Sequence, residues 1–135
     1  MPTVAWPSLA DAEVIDVEFV TKKGVFERRL LLVDSGFIGE SSIVLGLDSV
    51  ELVTAKLEAV QTSGALQGSQ NRGWVSCRIP ALNFQRAFIA IVTDTQPLTL
   101  PERVQGMVGL SFLRQFARWG TERTEHGWRF SLVSD

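Results

Sequence analysis

The chain has 135 residues, 45% of them hydrophobic, with a formal net charge of −2 and an isoelectric point near 5.4. That length fits one domain with enough apolar matter for a core, and the acidic balance argues against a nucleic-acid footprint, which needs clustered Lys and Arg. A single cysteine, Cys77, excludes an internal disulfide framework and any multi-cysteine metal site.

Residues 1–12 read as an N-terminal extension and 13–135 as one domain. The opening Met1-Pro2-Thr3-Val4-Ala5-Trp6-Pro7 lacks the basic and apolar regions of a signal peptide. No apolar run approaches the roughly 20 residues that span a bilayer. A soluble, cytoplasmic protein without a membrane partner is the expectation.

From Glu13 the pattern is mostly of period two. Glu13 to Val20 alternates as a strand, Thr21-Lys22-Lys23-Gly24 turns the chain, and Val25 to Val33 returns as its partner. Lys22-Lys23 and Arg28-Arg29 fall in this hairpin and suit a solvated face. The returning strand ends in the apolar run Leu30-Leu31-Leu32-Val33, which predicts a fully buried strand, and it delivers Asp34-Ser35-Gly36 where the chain must turn. An acid so close to an apolar interior is costly when ionised unless it is paired or hydrogen-bonded.

After Phe37-Ile38-Gly39-Glu40, Ser41 to Leu45 is a short strand, and Leu47 to Ala55 is ambiguous, with a helical turn able to start at Asp48. Ala55 to Gln61, a polar stretch from Thr62 to Gly73, and Trp74 to Ile79 predict a hairpin with a long, glycine-bearing, mobile tip. Pro80 to Asn83 turns the chain and Phe84 to Val92 is another strand. Beyond Pro97 and Pro101, Gly106-Met107-Val108-Gly109-Leu110 leads to a short helix over Ser111–Phe116, with Ser111 as N-cap. Its Phe112, Leu113 and Phe116 form a core-facing stripe. Arg118 to Arg123 and Trp128 to Val133 flank Glu125-His126-Gly127 as a terminal hairpin. Many short strands with one late helix predict a mainly β, small closed or nearly closed barrel.

An apolar strand running into Asp34-Ser35-Gly36, a glycine-tipped hairpin midway, and Met107-Val108-Gly109 before a helix together resemble the retropepsin-like aspartic proteases. Val33-Asp34-Ser35-Gly36-Phe37-Ile38-Gly39 with Met107-Val108-Gly109-Leu110-Ser111-Phe112-Leu113 is most similar to the small prokaryotic single-domain type, whose usual forms are Asp-Thr-Gly-Phe-Ser-Gly and Leu-Gly-Xaa-Xaa-Phe-Leu. The resemblance spans residues 13–133. It implies a closed acid-protease barrel with one short C-terminal helix, and Asp34 as catalytic acid of an aspartic endopeptidase. With one such triplet per chain, it implies a homodimer in which two Asp34 carboxylates share a proton and activate water on a polypeptide substrate, without cofactor or metal.

The supporting roles fall on Ser35, Gly36 and Gly109. The Ser35 hydroxyl would hydrogen-bond across the dimer axis, though without the methyl of the commoner Thr. Gly36 would offer its amide near the carboxylate. Gly109 would pack against the catalytic turn, where a Cβ would intrude. Gly64-Ala65-Leu66-Gln67-Gly68 is the candidate flap, but the polar Ser69-Gln70-Asn71-Arg72 beside it matches no flap motif. The structural alternative for Asp34 is an Asx-type turn at a strand end, and the functional alternative is a catalytically silent barrel of the same fold that binds peptides or assembles with a partner.

Other residues carry less. His126, the lone histidine, sits in a turn and has no nucleophile motif to serve. Asp11, Asp16, Asp94, Glu122 and Glu125 are scattered, so a hard-metal site has no support in spacing. Cys77 lies in a strand pattern as an inert thiol, and the four tryptophans suit core or interface packing.

Overall fold

The computed structural model describes residues 1–135, the side chain of Ala65 excepted. The strands are β1 (Thr3–Pro7), β2 (Val14–Val20), β3 (Phe26–Val33), β4 (Ile43–Leu45), β5 (Ala55–Thr62), β6 (Gly68–Ile79), β7 (Phe84–Val92), β8 (Gly106–Val108), β9 (Arg118–Thr124) and β10 (Gly127–Val133), with one short helix, α1 (Leu110–Leu113). Tight 3₁₀ turns cover Leu47–Leu52, Gly64–Leu66 and Pro80–Leu82.

Six strands close a barrel in the order β2-β3-β8-β4-β7-β6, and the ring is completed where Glu18–Val20 of β2 pairs with Ser76–Arg78 of β6. The mainly β barrel with one short helix near its end is therefore what the alternating sequence foretold. At the closing seam Glu18 and Arg78 form an ion pair at 2.8 Å. Alternation supplies the core: Ile15, Val17 and Phe19 of β2 point inward and are fully buried, while Asp16 and Glu18 between them are not. Each such apolar side chain contributes about 1.5–3 kcal/mol by leaving water. The interior is shared with Leu31, Ile43, Leu45, Val75, Cys77 and Val108. Cys77 is wholly buried, and burial pushes its thiol pKa up.

Beneath the barrel α1 stacks Phe112 on Phe88 of β7, ring centroids 4.9 Å apart, and Phe116 follows onto Phe84 at 4.7 Å. The helix is shorter than the sequence suggested and starts earlier. Gly109 takes the N-cap position, and Ser111 lies inside the helix instead of capping it. Its hydroxyl has another partner, Ser42 Oγ at 2.7 Å, which ties α1 to the chain entering β4.

The run before Asp34 is less enclosed than expected. Leu31 is fully buried, but Leu30 and Leu32 are half-buried, because alternate residues of β3 face opposite sides and the outer side is only partly covered. Val33, on the inner side at the strand's end, is half-buried against the core. Leu32 joins a second apolar cluster outside the main core, built on Val44, Leu66, Ile91 and Met107.

Two other features depart from the sequence reading. The first twelve residues include β1, which pairs along its length with β10, from Thr3 opposite Val133 to Pro7 opposite Arg129. With β9 these strands make a separate three-stranded sheet, β1-β10-β9. The polar residues from Gly68 to Gly73 are not tip but strand. They extend β6, paired with β5 on one side and, from Asn71 onward, with β7 on the other. The tip of the β5–β6 hairpin is accordingly reduced to the turn between Thr62 and Gly68.

Candidate active site

Asp34 leaves the end of β3 at the one place where that strand meets β8. The pairing is parallel, Leu32 opposite Met107 and Val33 opposite Val108, and it continues as the Asp34 N–H donates to the Val108 carbonyl at 2.9 Å. The chain then turns back. The Phe37 N–H donates to the Asp34 carbonyl at 3.1 Å, and the Gly36 N–H donates to Asp34 Oδ1 at 3.0 Å. The carboxylate is thus half-buried, one oxygen held by the backbone of its own turn. This is an Asx-type turn in geometry, and it aims the carboxylate as well as closing the chain.

Gly109 braces the turn from beneath. A Cβ on it would lie inside van der Waals contact of both the carbonyl oxygen and the ring of Phe37. Close approach is what allows the Leu110 N–H to reach the Phe37 carbonyl at 2.9 Å, and the Gly109 N–H to reach the Ser42 carbonyl at 2.8 Å. The packing expected of Gly109 and the amide expected of Gly36 are both present. Ser35 and Ile38, by contrast, face solvent, Ile38 with 70% of its surface exposed.

The hairpin named as a flap projects from the barrel as β5 and the first half of β6. Gly64 and Gly68 take positive φ, +78° and +104°, as the tight tip demands. Thr62 Oγ1 donates to the carbonyl of Leu66, and Gln70 Nε2 donates to the carbonyls of Leu66 and Gln67 at 3.0 and 3.2 Å. The polar residues that fitted no flap motif thus include the brace of the tip. Leu66 is buried in the outer cluster to which Leu32 of β3 and Phe37 of the Asp34 loop also belong, whereas Gln67 is exposed. The side chain of Ala65 lies outside the described residues. Lower down, Arg72 of β6 joins the hairpin to the loop, its Nε donating to the Glu58 carbonyl at 2.6 Å and its Nη1 standing 3.4 Å from Glu40.

On its open side Asp34 borders a cleft of about 590 Å³ lined also by Leu9, Asp11, Glu13, Thr121 and Trp128. Sequence reading did not bring Glu13, Thr121 and Trp128 to the site, since they belong to the segment just before β2 and to the terminal sheet, remote along the chain. No local motif marks them. Thr121 Oγ1 donates to Glu13, which pins β9 against the barrel there. A second cavity of about 290 Å³, between Leu47, Val50, Leu57 and Val92, does not include Asp34.

His126 stands exposed in the β9–β10 turn beside Glu125, away from this cleft. Among the described residues no group of three or more His, Cys, Asp or Glu could hold a metal ion, and no helix is long and apolar enough to cross a membrane. Comparison with models of protein families, with curated proteins and with solved structures finds no match for this chain.

Proposed function

We propose that the protein is a homodimeric aspartic endopeptidase in which two Asp34 residues, one from each chain, form the catalytic pair. The observation that carries this reading is the braced turn. A carboxylate at a barrel strand's end, oriented by the Gly36 amide, is locked from below by the contact of Gly109 with Phe37. The neighbouring β5–β6 hairpin ends over the same apolar cluster as the loop. The exposed Ser35 and Ile38 are surface for a second copy or a substrate to cover.

Two carboxylates brought face to face cannot easily ionise together, so the pair titrates as a unit and keeps one proton over a useful pH range, as is known for aspartic-protease dyads. The unprotonated carboxylate takes a proton from a water lying between them. The water oxygen attacks the peptide carbonyl carbon, and the protonated partner donates to the carbonyl oxygen. Collapse of the tetrahedral species with proton transfer to the amine breaks the C–N bond and restores the shared proton.

The test is cleavage of an unfolded polypeptide and of a peptide library at mildly acidic pH. Asp34→Asn, which retains the shape and the acceptor for Gly36, is expected to lower the rate by at least about a hundredfold. Unchanged activity in that variant overturns the assignment.

A second reading has one observation in its favour. Leu66 buries itself beside the loop, so the hairpin rests closed on its own barrel. A catalytically silent peptide-binding or assembly module would keep this arrangement. It requires peptide binding that persists in Asp34→Asn, without cleavage by either form.

A further inference from the structure

The free edge of β9 is built to pair with itself. Ser8 donates its N–H to the Trp128 carbonyl, so the backbone groups of Trp128, Phe130 and Leu132 face β1. Those of Gly127, Arg129 and Ser131 then face β9, where their register partners are Thr124, Glu122 and Gly120. The backbone N–H and C=O of Trp119, Thr121 and Arg123 consequently point away from β10, and no strand lies beyond them. Such an edge is a template for another strand.

Side chains on this edge are self-complementary. Trp119, Thr121 and Arg123 share one face with Leu132, Phe130 and Trp128 of β10, their respective register partners. Trp119 and Trp128 are 38% and 56% exposed. A two-fold axis through Thr121 sets Thr121 against its copy and Trp119 against Arg123 of the second copy. Each facing pair then exchanges both backbone hydrogen bonds. Across the joined sheet a row reads Trp128, Arg123, Trp119 of the second copy, Leu132 of the second copy. The Arg123 guanidinium falls between two indole faces, a favourable place for a cation that also stacks. The symmetry-related row repeats it, as an isologous contact requires.

We infer that the edge of β9 is the dimer interface, the two copies pairing antiparallel about Thr121 to make one continuous six-stranded sheet. The inference rests on the dimeric reading of the proposed function and gives it a place. Thr121 and Trp128 line the same cleft as Asp34, so an axis through Thr121 brings the two clefts to one seam.

The experiment is sedimentation equilibrium of the full chain, with peptidase activity measured alongside. Wild type is expected to dimerise. Arg123→Glu, a change at an exposed position, is expected to raise the dimer Kd at least about tenfold, since it places a carboxylate against the Trp119 ring. Trp119→Arg combined with Arg123→Glu is expected to restore association. Positions 119 and 123 of one strand lie about 13 Å apart, so only pairing between copies brings the new charges together. Thr121→Pro, which removes an N–H facing outward, is expected to leave a folded monomer. A wild-type monomer, a Kd indifferent to Arg123→Glu, or a double variant as weak as the single one overturns the interface. The two readings fail separately. Asp34-dependent cleavage by a dimer that ignores Arg123→Glu removes the interface and leaves the protease. A chain that dimerises with this pattern of Kd values but cleaves independently of Asp34 removes the protease and leaves the interface.

Discussion

The two turns nearest the proposed chemistry use glycine for opposite reasons. At the base of the Asp34 loop, Gly109 has an ordinary extended backbone and no room: any side chain meets Phe37. At the tip of the β5–β6 hairpin, Gly64 and Gly68 have open space around their Cα atoms and positive φ. The first is a demand of packing between segments far apart in sequence, the second a demand of local backbone conformation. One turn is rigid because the whole barrel grips it; the other is shaped from within and held down by one apolar residue.

Substitutions should separate these demands. Gly109→Ala is expected to cost the most, about 3 kcal/mol or more in denaturant unfolding, because the Cβ must displace a backbone carbonyl or a ring. A loss under 1 kcal/mol would mean that the loop is free to shift. Leu66→Ala is expected to act locally, loosening the tip by about 2 kcal/mol and speeding amide exchange there roughly thirtyfold, with the barrel amides unchanged. Exchange accelerating equally in both regions would erase the distinction.

Alkaline titration should pick out the barrel alone. Burial raises the Cys77 thiol above its ordinary value of 9.0 in the folded state. Below that value both states keep the proton and stability is unaffected. Above it the unfolded chain loses its proton first, so stability falls as pH climbs towards the folded value, by up to about 1.4 kcal/mol per pH unit. The comparison is the slope of unfolding free energy between pH 8 and 10 in wild type and Cys77→Ala, the latter expected to lack that contribution. Gly68→Ala is expected to show the smallest effect, about 1 kcal/mol of backbone strain confined to the hairpin, read by amide exchange at the tip.

What could be read from the residues follows the same division. β2 announces itself by alternation, since one of its faces meets the core, and β7 by its apolar run Phe88–Val92, which is buried on both faces. The Asp34 turn and the close fit at Gly109 were legible as a motif. The first half of β6 was not. Ser69, Gln70, Asn71 and Arg72 look like loop, and they are strand because β5 and β7 supply backbone partners whatever the side chains are. β1 was equally hidden. Pro2 and Pro7 bracket it, and its strand partner, β10, lies far along the chain. Ser111 had the chemistry of a cap but met Ser42 first, a tertiary contact that no local rule contains. The walls of the Asp34 cleft were illegible for the same reason.

The parallel pairing of Val33 with Val108 has a consequence for how the protein comes into being. Contacts between segments so widely separated are slow to form, because the intervening chain must be gathered before they return any energy. On the ribosome, the turn bearing Asp34 emerges early but has nothing to rest on until Val108 and Gly109 have been synthesised. Its carboxylate therefore acquires a fixed direction late, when most of the barrel already exists to hold it.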